Sequence, residues 1–497
     1  MTDAARLDPR WPVLVGVGQV NQRVDRGEPE REPVDLMVEA LRRAATDSGA
    51  PGVLDSADSV RVVNVLSWRY PDPGRLVGER LGRPDVHTTY SVIGGNIPQT
   101  LVNGACLDIL AGRADTVLVT GAEAWRSRNA HRAGGGHADW TVQPADTTPD
   151  AVAGHEIALS HPNELERGIV MPVQFYPMFE NAWRASQGWS IDEHQRRLAR
   201  LWAGFSEVAA KNPDAWIQRA YSPEELASSA DGNRMIGFPY RKLLNSNNAV
   251  EQGAGLILCS VEKARALGIP TDRWIFPHAG TDARDTQFVS NRTSLAASPA
   301  IRVAGARALE LAGVGVDDLA HVDVYSCFPS AVQVAAAELG LGTDRPLTVT
   351  GGLSFAGGPW SNYVTHSIAT MAAKLRETDG GLGLCTANGG YLTKHGFGVY
   401  GARPPEQAFR WDEPQAAVDA VGSRELCESF DGPVTIEAYT VMHGRDEAAE
   451  VGLAGVLLAD GRRAWGSTRD ADVLAAMEID EFVGRPATLA GDGALTF

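Results

Sequence analysis

The sequence predicts an α/β fold built twice over, with mostly parallel strands, followed by a smaller β-rich domain. Three observations carry this reading. Segments recur in the same order at a separation of 262 to 263 residues, each copy alternates β-like runs with helical ones, and from about residue 404 the pattern turns antiparallel. At 497 residues the chain exceeds what one hydrophobic core serves. The pattern divides it into a first half (1–125 with 244–272), an insertion (126–243), a second half (273–403) and an additional domain (404–497).

The duplication can be followed element by element. PVLVGVGQ near the start matches WIFPHAGT, placing Gly18 against Gly280, 262 residues apart. The next segments, EPVDLMVEALRRAATDSG and SPAIRVAGARALELAG, each carry proline in the first turn (Pro33, Pro299) and glycine past the last (Gly49, Gly313), the start and stop signals of a helix. Short β-rich runs follow, SVRVVNV from Ser59 and HVDVYSC from His321. GGNIPQTLVNGACLDIL from Gly94 then pairs with GGPWSNYVTHSIATMAAKL from Gly357, 263 residues on, and both lead into β-like runs at 115–121 and 381–387. The insertion is rich in His, Trp and Arg and holds one long helical stretch, SIDEHQRRLARLWAGFSEVAAKN. GAGLILCS resumes the first half and FGVYGA answers it in the second. In the tail, Asp460-Gly461 sits where a hairpin turn belongs.

Composition narrows the function classes. With 44% hydrophobic and 22% charged residues the chain reads as a soluble globular protein. A net charge of −17 argues against nucleic acid or an anionic membrane as partner, since either needs a broad basic field. The first residues lack the features of a secretory leader, and no apolar run approaches the roughly 18 residues of a membrane span, so a cytoplasmic location is expected. The five cysteines are widely spaced with no C-x-x-C pair, which predicts neither a disulfide framework nor a metal site.

Six stretches taken in order resemble the thiolase superfamily: GVGQ at 16–19, AGRADTVLVTGAE at 111–123, NSNNAVEQGAGLILCS at 245–260, VDVYSCF at 322–328, GGLSFAGGP at 351–359 and TANGG at 386–390. The nearest subgroup is the sterol-carrier-type thiolases and their thiolase-like relatives with an added C-terminal domain, and the resemblance spans roughly residues 10–402. It implies a duplicated αβαβα-layered fold and an inserted loop domain that binds an acyl-coenzyme A thioester. It also implies two buried third helices whose N-termini face one site, and a C-terminal domain of the oligonucleotide-binding (OB-like) kind. Two helix N-termini offer free N–H groups and positive dipole ends to a thioester oxygen that becomes negative during reaction.

The residues depart from the family where its chemistry is done. Aligned on its motifs, the nucleophilic cysteine becomes Gly95, the histidine of G-H-P becomes Gly358, and the acid/base cysteine of C-x-G becomes Ala387, while Gly389 of that motif is kept. The Asn or His that opens the family's fourth motif is Tyr325, a phenol able to donate a hydrogen bond or move a proton. Cys106, about 16 Å beyond Gly95 along a helix, is too distant to replace the nucleophile. It reads as core, as do Cys327, Cys385 and His366. His395, just after TANGG, is a candidate to approach the site, and Asn362 is either a cap or a ligand. Asn248 aligns with the family's ligand-contacting serine, and Arg196 and Arg241, with Arg197, Arg200 and Lys242 near them, are candidates for the phosphates. The glycines of AGGGHADW (133–140) lack the strand-before, helix-after setting of a phosphate loop and signal flexibility. The resemblance thus implies an acyl-coenzyme A-handling protein of lipid metabolism, an acetyltransferase by descent without the Cys/His/Cys side chains. Its alternatives are a retro-aldol lyase on hydroxyacyl-coenzyme A or a non-catalytic acyl-coenzyme A or lipid binder. Family habit implies a homodimer through the core sheet edge, or a monomer if the C-terminal domain covers that edge.

Overall fold

Proline at the first turn and a left-handed glycine past the last delimit the two outer helices, as the sequence indicates. Pro33–Asp47 runs out into Gly49 and Pro299–Ala312 into Gly313, with φ of 75° and 72° at the two glycines. The second of these helices is capped by Ser298, whose Oγ accepts from the Ile301 N–H at 3.3 Å. The structure is a computed structural model that describes residues 7–497.

Each helix lies against its own sheet, and the two sheets share one order. In the first, Pro12–Asn21, Glu251–Ser260, Thr116–Ala124, Ser59–Val62 and His87–Ser91 are neighbours in that sequence; in the second, Phe276–Arg284, Lys394–Gly401, Leu382–Gly389 and Leu319–Asp323 repeat it. The duplication read from the sequence is therefore structural. The strands of each sheet run mostly parallel, as expected, with one exception apiece: Glu251–Ser260 and Lys394–Gly401 run antiparallel to both of their neighbours. In the second half the reason is connection length, because only Gly390 to Thr393 separate Leu382–Gly389 from Lys394–Gly401, and a chain that turns back without a helical crossover must pair antiparallel.

Between the sheets lie the helices Ile97–Leu110 and Tyr363–Glu377, buried on most of their surface. The layers are helix, sheet, helix pair, sheet, helix, which is the αβαβα arrangement. Burial on both sides explains why neither central helix is simply amphipathic: Gln99 and Asn103 point at the second sheet and are satisfied there, Gln99 by the Tyr400 hydroxyl at 2.8 Å and Asn103 by Asp282 at 2.9 Å.

The insertion is less separate than its boundaries suggest. Its strand Ala151–Ala153 pairs parallel with His87–Ser91 and closes the free edge of the first sheet. Its hairpin Met235–Arg241 joins the C-terminal sheet at Gly237↔Met442. Beyond residue 404, Arg410–Asp412 pairs with Phe276–Arg284 of the core.

The C-terminal domain is a meander of Gly432–His443, Ala449–Leu457 and Arg463–Thr468, then the helix Ala471–Met477, then Pro486–Leu489 and Leu495–Thr496. The strand order is third, second, first, fourth, fifth, and the sheet curls until the third and fifth meet in a parallel bridge at Ser467↔Ala494. Asp460-Gly461 forms the expected turn between the second and third, with Gly461 left-handed. No helix among the described residues is long and apolar enough to cross a membrane.

One fully buried cation docks this domain on the core. Arg463 forms a two-pronged pair with Glu437 at 2.6 and 2.7 Å, and its third nitrogen donates to the carbonyls of Val289, Ser290 and Arg292 at 2.7–3.0 Å. Arg463→Met would leave a largely buried carboxylate and three carbonyls without donors. It is expected to cost about 3–5 kcal/mol in denaturant unfolding followed by tryptophan fluorescence, and an unchanged midpoint would show that the domain docks by other contacts.

Candidate functional site

The two central helices begin side by side. Gly94 N–H donates to Ser361 Oγ at 3.2 Å, joining the turn that starts the first helix to the turn that starts the second. Above this junction lies a cavity of about 280 Å³. Its wall comes from both halves and the insertion: the Ile93–Gly95 turn, Tyr325–Phe328 after the strand Leu319–Asp323, Asn388–Tyr391 at the hairpin, Met171–Tyr176 from the insertion, Asn245–Asn248 and Trp360. The lining is mainly apolar, and Ile93 and Met171 stand exposed at its edge.

Tyr325 occupies the place of a side chain on Gly95. A Cβ on Gly95 would sit 2.9 Å from Tyr325 Cζ and closer still to Tyr325 Oη and the Asn388 carbonyl oxygen. The phenol is held by its backbone N–H, which donates to Thr386 Oγ1 at 2.9 Å, and by an edge-to-face contact with Tyr363 at 5.5 Å. Burial, with nearby Cys327 adding to it, pushes the Tyr325 hydroxyl well above the usual range for a phenol, so it stays protonated and has a proton to donate. Gly389 adjoins Gly95: a Cβ there would lie 3.2 Å from Gly95 N. Gly95, Gly389 and Tyr325 are thus brought together in one place.

Asn248 lines the same cavity, with its Oδ1 accepting from Ser246 Oγ at 2.7 Å. Those two side chains fill the gap at Gly358. A Cβ on Gly358 would fall 2.8 Å from Asn248 Oδ1 and nearer to Ser246 Oγ, and its N–H is taken by the Asn247 carbonyl at 3.0 Å. Gly358 is accordingly a packing glycine outside the cavity lining and does not keep a helix turn open to a ligand. The glycine run also defers the helix, which begins only at Tyr363 after a turn at Trp360–Asn362.

Several candidates stand elsewhere. His395 does not reach the cavity; it lies behind it beside Ser298, 3.5 Å from Ser298 Oγ, and burial lowers its pKa to about 4, so it is a neutral core histidine. Ala387 is buried in the same layer. Asn362 is a structural tie, donating to the Gly121 carbonyl and accepting from Thr365, both at 2.7 Å. His366 bonds Gln19 at 2.8 Å, with its pKa pulled down to about 3 by burial. Arg196 is exposed on the helix Ile191–Lys211, and Arg241 donates to the Ala227 carbonyl at 2.9 Å; neither lines the cavity.

Other residues add to the wall or stand beside it. Cys327 is buried in the core as expected and also lines the cavity, with Asn388 Nδ2 at 3.7 Å; burial raises its thiol to about 12, which leaves almost no thiolate at neutral pH. Tyr176, from the insertion, accepts from Asn388 Nδ2 at 2.9 Å and donates to the Gly390 carbonyl at 3.0 Å. Lys394 is buried beside the Ile93 turn, where its Nζ donates to the Ile93 carbonyl at 2.5 Å and desolvation lowers its pKa. Asn388, Cys327 and Lys394 were visible in or beside the quoted motifs; nothing in the local sequence marks Tyr176.

A family model described as the thiolase-like protein type 1 additional C-terminal domain matches residues 413–494. The crystal structure of a monomeric SCP2-thiolase like protein type 1 from Mycobacterium smegmatis is 32% identical over 99% of this chain and 100% of its own, with a TM-score of 0.84. The chain belongs to this type 1 thiolase-like family. The Ltp2-ChsH2(DUF35) aldolase (19% identity, 80% of this chain and 99% of its own, TM-score 0.59) and the acetyl-CoA acetyltransferase from Syntrophomonas wolfei (16%, 80% and 100%, TM-score 0.56) share the fold. In this thiolase-like chain, restoring a cysteine at position 95 is a test of the packing described above. Gly95→Cys is expected to cost about 1–3 kcal/mol through overpacking and to give no acylated adduct by mass spectrometry after incubation with acetyl-coenzyme A. A covalent adduct at that residue would show that Tyr325 and Asn388 can move aside.

Proposed function

We propose that this protein binds an acyl thioester, as its coenzyme A ester, with the carbonyl at the facing helix starts and without forming an acyl-enzyme. The carrying observation is the pairing of kept backbone with lost side chain: Gly95 and Gly389 remain adjacent while the Tyr325 phenol fills the nucleophile's place. A protonated phenol and a helix N-terminus both favour an oxygen bearing partial negative charge. Cys327 offers no substitute nucleophile, since its thiol is held protonated. On this reading the protein is an acyltransferase by descent that has kept the binding of an acyl group and lost its transfer.

A retro-aldol lyase on a hydroxyacyl thioester is the second reading, favoured by the position of Tyr325 on the cavity wall beside Gly95. The raised pKa counts against it, because a phenol that holds its proton so firmly is a poor base. Calorimetric titration with hexanoyl-coenzyme A tests both. Tyr325→Phe is expected to weaken binding roughly five- to tenfold, the value of one hydrogen bond, with no thiolysis in either protein. Absence of binding would sink the reading, and cleavage of a hydroxyacyl thioester that disappears in Tyr325→Phe would replace it with the lyase.

We read the C-terminal domain as an OB-like barrel, supported by its strand order and the helix between its third and fourth strands. The edge strand His87–Ser91 is already paired by Ala151–Ala153, so a strand of the insertion, not the C-terminal domain, covers it. A monomer is the expected state in sedimentation equilibrium at micromolar concentration, and a dimer there would show that this cap is displaced.

A further inference from the structure

The thioester cavity has no lysine or arginine in its wall, and Arg196 and Arg241 do not reach it. A coenzyme A ester carries phosphates that need cations. A second cavity, of about 700 Å³, adjoins the first, and Leu66 lines both. Its wall includes Arg69, Arg128, Arg132 and His137 and no carboxylate, although the chain as a whole is strongly acidic.

These arginines differ from their neighbours. Arg126 pairs with Asp25 at 3.3 Å and His131 with Glu30 at 2.9 Å, but among the described residues no ion pair involves Arg69, Arg128 or Arg132. Arg128 and Arg132 stand one turn apart on the helix Trp125–Ala133, close enough to repel, and burial together with Arg132 lowers the Arg128 pKa. The carboxylate that Arg128 feels is Glu123, whose oxygens are taken by the Leu66 and Ser67 N–H groups at 2.8 and 2.7 Å. Like charges gathered in a concave wall without an ion pair fit a polyanionic ligand.

The two cavities are also joined by stacked rings. Arg128 lies 4.4 Å from the Trp125 ring centre, Trp125 lies 5.5 Å from Trp360, and Trp360 lines the thioester cavity. Trp360 holds a left-handed backbone, φ 49°, that a tryptophan rarely adopts, and its indole N–H is buried with no protein acceptor. Resting on the thioester reading, we infer that Arg69, Arg128 and Arg132 form the site for the phosphate-bearing end of the same ligand, with Leu66 and Trp360 at the passage between phosphate and acyl sites.

The test measures binding of hexanoyl-coenzyme A, phosphate-free S-hexanoyl pantetheine and adenosine 3′,5′-bisphosphate to the full chain and to Arg128→Ala/Arg132→Ala. The expected result is a loss of about 30-fold or more for the coenzyme A ester in the variant, little change for the pantetheine ester, and competition by the bisphosphate in the wild type. The coenzyme A ester should also weaken with added salt while the pantetheine ester does not. Arg128→Lys/Arg132→Lys, which keeps the charges, should recover part of the loss, separating charge from any fault in folding. Equal losses for both esters, or none for either, would overturn the inference. If neither ester binds the wild type but the bisphosphate does and the variant abolishes it, the thioester reading fails while the arginine site stands as a phosphate site of its own.

Discussion

The site depends on one close approach, that of Tyr325 and the Asn388 carbonyl to the backbone of Gly95. One partner belongs to the first half of the duplication and the others to the second, so the contact ties the two halves at their common centre. Part of the obstacle to a side chain at residue 95 is backbone, which rotamer changes do not relieve. The same pattern recurs at Gly358, where Ser246 and Asn248 fill the gap. Protein interiors are packed near crystal density, and a glycine in the core leaves a void unless neighbours fill it. Here they do, so both glycines are physically closed to a side chain.

Much of the fold was legible because each half carries its own local signals. Pro33 with Gly49 and Pro299 with Gly313 bound helices by rules that act within a few residues, and the repeat doubled every signal. The one reversed strand in each sheet, Glu251–Ser260 and Lys394–Gly401, was not legible, because strand direction follows from the connection rather than from the strand itself. The cavity wall was legible where it lies on the repeat, at Gly95, Tyr325 and Gly389, and at Asn248, just before the strand Glu251–Ser260. His395 was misplaced by the alternation of strand faces: it turns toward Ser298, whereas its neighbour Lys394 turns toward Ile93. Tyr176 enters from an insertion more than 200 residues distant in sequence from Asn388, and no local pattern announces so remote a contact.

That insertion does three jobs with three short pieces. Ala151–Ala153 closes the first sheet, Met171–Tyr176 walls the cavity, and Met235–Arg241 extends the C-terminal sheet. With Arg463 clamping the C-terminal domain to the 289–292 turn, that domain, the insertion and the core share contacts that none could satisfy alone. An uncapped strand edge invites pairing with a second chain, and the insertion supplies a pairing partner for His87–Ser91 within the same chain.

The electrostatics of the two cavities divide along the same line. In the inner one, burial keeps the Tyr325 phenol and the Cys327 thiol neutral, and the buried cation Lys394 is spent on the Ile93 carbonyl. Such a surface suits an uncharged thioester whose carbonyl dipole meets helix N–H groups, and it disfavours chemistry that must create a thiolate or phenolate there, since a bare charge in an apolar cavity costs several kcal/mol. In the outer cavity the cost runs the other way: Arg128 and Arg132 are held near one another with no ion pair among the described residues, and an arriving anion would relieve them. A ligand with an apolar neutral end and a multiply charged end matches this division, because each end meets the environment that the other would be penalised for entering.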